Sequence, residues 1–188
     1  RYFGRRFFND KINNNSNIFH NKLNNEDLIN FKLEDTKSIV AALKKTKLIQ
    51  YLFCSSIWSE GITEVLPLDV NSIKKNPIDD YGKEKFKCEL YLKEEFLKNN
   101  FPSTIVCPGQ ISGPGWNIIN PWGNISLKIF QDIIDGKEIC LPNFGVATIH
   151  HVHGKDVAQV FLRCIQYRTN ALGRCFAAVS KNSITQYG

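Results

Sequence analysis

The sequence predicts an α/β fold built on a mostly parallel sheet. Two observations lead to this prediction. Short apolar runs rich in β-branched and aromatic residues recur along the chain, as is typical of strands buried on both faces. Segments with apolar residues at helical spacing separate several of these runs, and strands that alternate with helices indicate an α/β architecture. The predicted strands cover residues 27–31, 48–54, 104–107, 138–141, 146–152 and 174–179.

Four helices are predicted between these strands, at residues 36–45, 81–99, 125–134 and 156–165. Short polar side chains at three of their starts can accept hydrogen bonds from the first free backbone N–H groups, as N-cap residues do. The candidate caps are Asp35 or Thr36, Asp79 or Asp80, and Asp156. The third helix is expected to end at a glycine, Gly136.

Composition indicates one folded domain with a sizeable core, because 43% of the 188 residues are hydrophobic and 12% are aromatic. The net charge of +6 is dispersed among acidic residues, so nucleic-acid binding is unlikely. The six cysteines include no Cys-x-x-Cys pair, which favours a reducing compartment. No apolar run reaches the roughly 18 residues that a membrane span needs. We therefore expect a cytoplasmic protein with no membrane partner.

The two ends of the chain predict a piece of a longer or processed protein. There is no methionine in the sequence, and residues 186–188 read as the beginning of another segment. Residues 1–26 are basic and aromatic at first and then rich in Asn, and their structure is uncertain. Two interpretations stay open for them: an RNA-binding arm, or part of a truncated domain.

The residues with the clearest chemistry are Ser56, Tyr81 and Lys85. Positions i and i+4 of a helix share a face, so Tyr81 and Lys85 can point into the same cleft. An ammonium beside a phenol stabilises the phenolate, and we expect it to lower the pKa of Tyr81. Ser56 follows a predicted buried strand and can hydrogen-bond the same substrate oxygen. This set predicts proton transfer to or from a hydroxyl or carbonyl, with Tyr81 as general acid/base.

Four short motifs in chain order strengthen this interpretation. They are Cys-Ser-Ser-Ile-Trp at 54–58, Tyr-Gly-Lys-Glu-Lys at 81–85, Cys-Pro-Gly-Gln-Ile-Ser-Gly-Pro-Gly at 107–115 and Val-His-Gly-Lys-Asp-Val-Ala at 152–158. With these motifs the chain resembles the extended short-chain dehydrogenase/reductase group, the NAD-dependent epimerase/dehydratase family, from about residue 27 to residue 188. Tyr-x-x-x-Lys alone is a weak signal, but four motifs in the family's order are a specific one.

The resemblance implies a truncated Rossmann-like, doubly wound fold with a small C-terminal substrate-binding part. Residues 27–115 would form the C-terminal half of the Rossmann-like domain, and residues 116–188 a substrate-side part interleaved with it. The implied activity is that of an NAD(P)-dependent oxidoreductase, epimerase or dehydratase acting on a sugar nucleotide or similar metabolite. The family also allows a homodimer.

The resemblance also assigns roles to individual residues. Ser56 would orient the substrate oxygen, and Lys85 would bind the nicotinamide ribose as well as tune Tyr81. The cofactor-binding residues would be Tyr81, Lys85, Pro108, Gly109, Gln110 and Ile111. The substrate would contact Ser56, Trp116, Asn117 and Asn120, although packing is an equally good role for the last three.

The chain departs from the family pattern in three ways. Cys107 and Gln110 stand where the family usually has arginine and asparagine, which leaves the substrate class open. No G-x-x-G-x-x-G turn occurs in the sequence, and such a turn at a helix N-terminus normally holds the cofactor pyrophosphate. The resemblance implies that this motif lies at the first strand of the fold, which would precede residue 1. We therefore expect the catalytic half of an NAD or NADP site without its phosphate-binding half.

Two other readings compete with an enzyme. One is a non-catalytic module derived from this fold, with RNA as a candidate ligand, and the other is a non-functional fragment that does not fold alone. A metal site is also conceivable, since His151 and His153 would share a strand face near His150. No carboxylate or cysteine cluster lies beside these histidines in sequence. We therefore predict no metal.

Overall fold

The computed structural model describes residues 24–27 (as a backbone strand), 32–62, 67–116, 118–122 and 125–187. Its strands are β1 Asn24–Asp27, β2 Gln50–Cys54, β3 Ser103–Pro108, β4 Gln110–Ser112, β5 Thr148–Ile149, β6 His151–His153, β7 Cys175–Ala178 and β8 Ile184–Thr185. Its helices are α1 Leu33–Leu43, α2 Asp80–Asn99, α3 Lys128–Ile134, α4 Gly154–Gln166 and α5 Arg168–Ala171. Short 3₁₀ turns lie at Ile57–Ser59 and Pro142–Gly145.

The central sheet has four parallel strands in the order β1-β2-β3-β7. In its register Leu52 lies opposite Thr104, and Val106 lies opposite Phe176. The connections between these strands pass through helices, as parallel strands require. Two small sheets, β4 with β6 and β5 with β8, lie outside the central one. The predicted α/β fold with a mostly parallel sheet is confirmed.

Each face of the central sheet is covered by its own helices. Tyr51 and Phe53 of β2 pack with residues of α1 and α2, whereas Leu52 packs with residues of α4 and α5. All three side chains are fully buried. Because neighbouring side chains on a strand point to opposite faces, β2 has to be apolar throughout to serve both layers. This explains the continuous apolar run in the sequence.

Helix α2 has well-defined ends that the sequence predicts. The Asp79 side chain accepts a hydrogen bond from the Gly82 N–H at 2.7 Å and so acts as the N-cap. At the other end Asn100 adopts the left-handed conformation, with φ of 52°, and terminates the helix. The predicted span of 81–99 differs from the observed one by a single residue.

Two predicted caps are wrong. Helix α1 begins before Asp35 and Thr36, with Lys32 at the N-cap position, and the Leu33 N–H donates to the Glu84 carboxylate of α2 at 3.1 Å. Helix α4 is capped by His153, whose Nδ1 accepts from the Lys155 N–H at 3.1 Å. Asp156 lies in the first turn of α4, where its charge complements the helix dipole.

Some predicted strands also differ from the observed ones. A strand is found at Asn24–Asp27, and residues 28–31 of the strand predicted at 27–31 lie outside the described residues. Residues 138–141 form no strand. The run at 146–152 is divided into β5 and β6, because these pair with different partners, β8 and β4. In the described part of the chain, no helix combines the length and apolar character needed to cross a membrane.

Candidate functional site

Ser56 lies directly after β2, at the carboxyl edge of the parallel sheet. The preceding Ser55 N–H donates to the Val106 carbonyl of β3 at 2.7 Å, which fixes the chain at this edge. The Ser56 hydroxyl oxygen then accepts a hydrogen bond from the Trp58 N–H at 3.2 Å and caps the 3₁₀ turn at 57–59. Carboxyl edges of parallel sheets are where α/β proteins bind ligands.

The start of α2 packs against this turn and brings Tyr81 to Ser56. A Cβ atom at Gly82 would lie 2.4 Å from the Trp58 carbonyl oxygen, so only glycine allows the helix to approach this closely. Tyr81, the preceding residue, makes a side-chain hydrogen bond with Ser56. Tyr81 is 39% exposed, whereas Ser56 is 8% exposed. Tyr81 is thus the residue of the pair that a ligand can reach.

Lys85 lies beneath Tyr81 and is almost completely buried. Its Nζ donates to the Cys54 carbonyl at 2.8 Å. The same ammonium lies 4.8 Å from the ring centroid of Phe53 and 5.9 Å from that of Tyr81. The structure therefore brings together Ser56, Tyr81 and Lys85, the three side chains predicted as a set. They meet where β2 ends and α2 begins.

The direction of the Tyr81 pKa differs from the prediction. Burial of the phenol raises its pKa above the ordinary value and is the largest effect, while the hydrogen bond with Ser56 lowers it. Neighbouring acidic groups, among them Cys54 and Asp79, raise it further. The expected lowering by Lys85 is wrong for this structure because desolvation of the phenolate outweighs the attraction of nearby donors.

The segment from Pro108 to Ile111 runs from the last residue of β3 into β4, at the same edge of the sheet. The Gly109 N–H donates to the Ala178 carbonyl at 2.9 Å, and the Gln110 N–H donates to the His150 carbonyl at 2.8 Å. A Cβ atom on Gly109 would lie 2.5 Å from that His150 oxygen. Glycine is therefore needed where this turn packs against the chain entering β6.

The predicted substrate residues differ in how far they are exposed. Trp116 is 51% exposed in the loop after β4. Asn120 is fully buried, and its amide is used within its own loop: it donates to the Ser126 carbonyl and accepts from the Trp122 N–H, both at 2.9 Å. Asn117 lies outside the described residues. Of these residues, Trp116 has the exposure that a substrate contact needs.

The histidines do not form a donor cluster within the described ranges. His153 is engaged as the cap of α4. The group that could hold a metal is instead Glu89, Cys107 and Cys175, whose donor atoms lie within 4.8 Å of one another. Lys75 and Ser55 already bond the two oxygens of the Glu89 carboxylate. A cation at this position would have to displace an ammonium.

Sequence reasoning missed a buried ionic network behind Ser56. The Lys75 Nζ lies 2.6 Å from a carboxylate oxygen of Glu60 and 2.6 Å from one of Glu89. Both acids are buried, and the Lys75 side chain is 0% exposed. One signal was available, because Glu89 falls on the helix face of Tyr81 and Lys85 at a further i+4 step. Lys75 lies in irregular chain, where no periodicity marks it.

The residues present fit the nicotinamide half of a dinucleotide site. Tyr81 lies partly exposed at the carboxyl edge of β2 and β3, and the buried ammonium of Lys85 is 5.9 Å from its ring centroid. The described residues do not include a strand that leads through a G-x-x-G-x-x-G turn into a helix. Within the described residues, Tyr81 and Lys85 are therefore the groups that could hold the nicotinamide end of such a site.

Solved structures of similar fold include two sugar-nucleotide epimerases and a dehydratase. UDP-N-acetylglucosamine 4-epimerase from Methanobrevibacter ruminantium M1 matches with a TM-score of 0.66 and 18% identity, over 83% of this chain and 49% of that one. UDP-glucuronic acid 4-epimerase from Bacillus cereus, in complex with UDP-glucuronic acid and NAD, matches with a TM-score of 0.67 and 15% identity. This match covers 82% of this chain and 48% of that one. dTDP-glucose 4,6-dehydratase from Bacillus anthracis, in complex with NAD, matches with a TM-score of 0.67 and 12% identity. This match covers 96% of this chain and 57% of that one.

A curated relative is the chloroplast stem-loop binding protein of 41 kDa b from Arabidopsis thaliana. It is 27% identical over 141 residues, which are 74% of this chain and 33% of the relative. The chain therefore spans about one third of this relative and about half of the similar solved structures.

The family model for the NAD-dependent epimerase/dehydratase family matches residues 12–176, which include β1 to β6, helices α1 to α5 and the Ser56, Tyr81 and Lys85 site. The match covers most of the chain and extends into β7. The chain belongs to the NAD-dependent epimerase/dehydratase family.

Proposed function

We propose that this chain carries the proton-transfer site of an NAD(P)-dependent epimerase, dehydratase or reductase. Its substrate would be a sugar nucleotide or a similar hydroxylated metabolite. The observation that carries the proposal is the hydrogen-bonded pair of Ser56 and Tyr81 above the buried Lys85 at the carboxyl edge of the sheet. The substrate class is supported by the sugar-nucleotide enzymes of the same fold.

In this proposal the three side chains have separate tasks. The phenolic oxygen of Tyr81 takes a proton from a substrate hydroxyl or returns one to a carbonyl. Ser56 holds the same substrate oxygen in reach by a hydrogen bond. Lys85, whose ammonium is held by the Cys54 carbonyl, would bind the nicotinamide ribose. A nicotinamide bound at this edge would supply the hydride chemistry.

The remaining parts of the site follow from their positions. We propose that Pro108, Gly109, Gln110 and Ile111 border the nicotinamide, and that Trp116 and Asn117 meet the substrate. Asn120 would act by shaping the loop that carries them, since its amide is bonded within that loop.

The wider setting is also proposed. The described cysteines are free thiols, including Cys107 and Cys175 with sulfurs 3.3 Å apart, which supports a reducing compartment such as the cytoplasm. A homodimer remains an expectation from the family.

Replacing Tyr81 by Phe in the full-length protein tests the catalytic assignment. Turnover with a panel of UDP-sugars and dTDP-glucose in the presence of NAD or NADP should fall by about 10²- to 10⁴-fold, because the proton-transfer group is lost. Tyr91→Phe, on the same helix, is the matched control and should keep activity. Normal turnover in the Tyr81→Phe protein would refute the assignment.

A second candidate function is RNA binding by a non-catalytic module. The relative named as a stem-loop binding protein and the net charge of +6 favour it. A gel-shift assay with a stem-loop RNA should then show a complex that weakens steeply as salt is raised. If no shift occurs even at low salt, this candidate is eliminated.

A further inference from the structure

The buried ion pair of Lys75 and Glu89 lies directly behind the turn that carries Ser56. Lys75 comes from the irregular stretch before α2, and Glu89 comes from the middle of α2. Their charged atoms are 2.6 Å apart and both side chains are fully buried. Such a pair is costly to desolvate, and it often adds little to stability compared with apolar residues of similar size. Its position suggests a role other than stability.

Hydrogen bonds connect this pair to both ends of the Ser56 turn. On one side the Ser55 hydroxyl donates to one oxygen of the Glu89 carboxylate. On the other side the Lys75 Nζ donates to the Ser59 hydroxyl at 3.3 Å. Ser56 lies between these two anchored serines and forms its own bond with Tyr81. The turn is therefore held from within the protein at residues 55 and 59.

We propose that Lys75, acting through Glu89, is a positioning residue that holds Ser56 in hydrogen-bonding contact with Tyr81. This inference rests on the proposed function of the Ser56, Tyr81 and Lys85 site. The contacts of Lys75 are to Glu60, Glu89 and Ser59. Its effect is transmitted through Ser55 and Ser59, whose side chains it fixes together with Glu89.

The neighbouring residue of β3 explains why the cation comes from a loop. The Cys107 thiol lies 3.6 Å from the Glu89 oxygen that accepts from Ser55, so the side chain at position 107 faces this carboxylate. A thiol cannot supply the positive charge that a buried carboxylate needs. Lys75 supplies that charge from outside the strand. It also reaches Glu60, whose backbone carbonyl accepts from the Asn76 N–H at 3.0 Å.

Lys75 stays charged despite its burial. Desolvation lowers the pKa of its ammonium, but attraction by Glu89 and hydrogen bonds to Glu60 and Glu89 raise it by more, so the net shift is upward. The Glu89 carboxylate thus faces a permanent cation at neutral pH. This leaves its other oxygen to accept from Ser55.

The test measures the phenol at position 81 and requires no turnover. Difluorotyrosine is incorporated at position 81 alone, and its ionisation is followed by fluorine NMR in the full chain. Lys75→Met should raise the pKa of this phenol, because a misplaced Ser56 no longer stabilises the phenolate. Lys75→Arg, which keeps the cation, should leave the phenol pKa closer to the parent value. Lys98→Met, which removes a surface lysine of α2, should leave the phenol pKa unchanged.

A double-mutant cycle with Ser56→Ala identifies the route of the effect. If Lys75 acts through Ser56, Lys75→Met raises the phenol pKa in the parent protein and has no further effect in the Ser56→Ala protein. An equal rise in both backgrounds would mean a direct charge effect and would overturn the proposal. The acidic neighbours Cys54, Asp79 and Cys107 also act on this phenol and are unchanged by these variants.

Ser55→Ala covers the case in which Lys75→Met does not fold. It removes the link between Glu89 and the turn without leaving a buried charge unpaired. The phenol pKa should rise and the rise should again vanish in the Ser56→Ala background. A phenol pKa that is unchanged by Ser55→Ala, and also by Ser55→Ala combined with Ser59→Ala, would overturn the proposal. A failed proposed function, in contrast, would appear as unchanged turnover in the Tyr81→Phe protein and would leave these phenol shifts unaffected.

Discussion

At the scale of single residues, Lys75 connects the stability of the fold to pH. Its pKa is raised in the folded protein from an ordinary value of 10.5, with Glu89 and Glu60 as the attracting groups that outweigh burial. A folded-state pKa above the unfolded one means that the folded state keeps its proton after the unfolded state has lost it. The stabilising contribution of Lys75 is therefore complete below the unfolded pKa and declines as the pH rises above it.

This gives a prediction for the Lys75→Met protein in alkaline solution. The difference in unfolding free energy between the parent and Lys75→Met should narrow above a pH of about 10.5, by up to about 1.4 kcal/mol per pH unit. Urea unfolding at a series of pH values measures it. The control is Lys98→Met, whose exposed pair with Glu94 should give a small and nearly constant difference. A Lys75→Met difference that widens with pH would contradict the prediction.

At the same scale, the sequence identifies some site residues and not others. Tyr81 and Lys85 are found because the fixed geometry of a helix relates positions i and i+4, whatever the rest of the fold does. Lys75 is not found, because its role arises from two acids that only the tertiary structure brings to it. The pKa of Tyr81 is also beyond sequence reasoning, since it depends chiefly on how far the phenol is buried.

At the scale of elements, the contact between α2 and the 3₁₀ turn determines the geometry of the candidate site. Gly82 is at the point of contact, with no room for a Cβ atom beside the Trp58 carbonyl and the Asp79 cap. Tyr81 and Ser56 lie on the two sides of this contact. A wider separation of the two elements would therefore lengthen their hydrogen bond before it disturbs the core.

Gly82→Ala tests this contact. In an open helix the change from Gly to Ala is worth about 1 kcal/mol in favour of folding. Here overpacking should reverse the sign and lower the free energy of unfolding by about 1–3 kcal/mol. Lys83→Ala, at the next and exposed position, should stay within about 0.5 kcal/mol of the parent. Urea denaturation compares the two, and a stabilised Gly82→Ala protein would show that the helix start is not tightly packed.

The accuracy of the predicted elements depends on where their stabilising partners lie. Helix α2 is predicted almost to the residue because its cap, Asp79, is adjacent in sequence. The start of α1 is misplaced because its first N–H groups include one that bonds Glu84, 51 residues away. The apolar run at 138–141 suggests a strand but has no partner strand in the described structure. Local patterns therefore place the ends of an element best where its stabilising contacts are local.

At the scale of the whole molecule, strands β2 and β3 belong to both layers of the core. Phe53 and Ile105 face the α1 and α2 side, while Leu52 and Val106 face the α4 and α5 side. Neither layer can lose its packing without exposing strands that the other layer needs. The doubly wound arrangement thus predicts one cooperative unit, and this is the property that separates a folding domain from a non-folding fragment.

Leu52→Ala and Phe53→Ala test this cooperativity from the two faces. Each creates a cavity beside a fully buried strand and should lower the free energy of unfolding by about 2–5 kcal/mol. Because the layers share the sheet, each substitution should shift the far-ultraviolet circular dichroism and tryptophan fluorescence transitions together in urea. Leu97→Ala, at a residue that is 78% exposed, should shift neither. A substitution that moves one transition alone would mean that the two layers unfold separately and that the shared strands do not couple them.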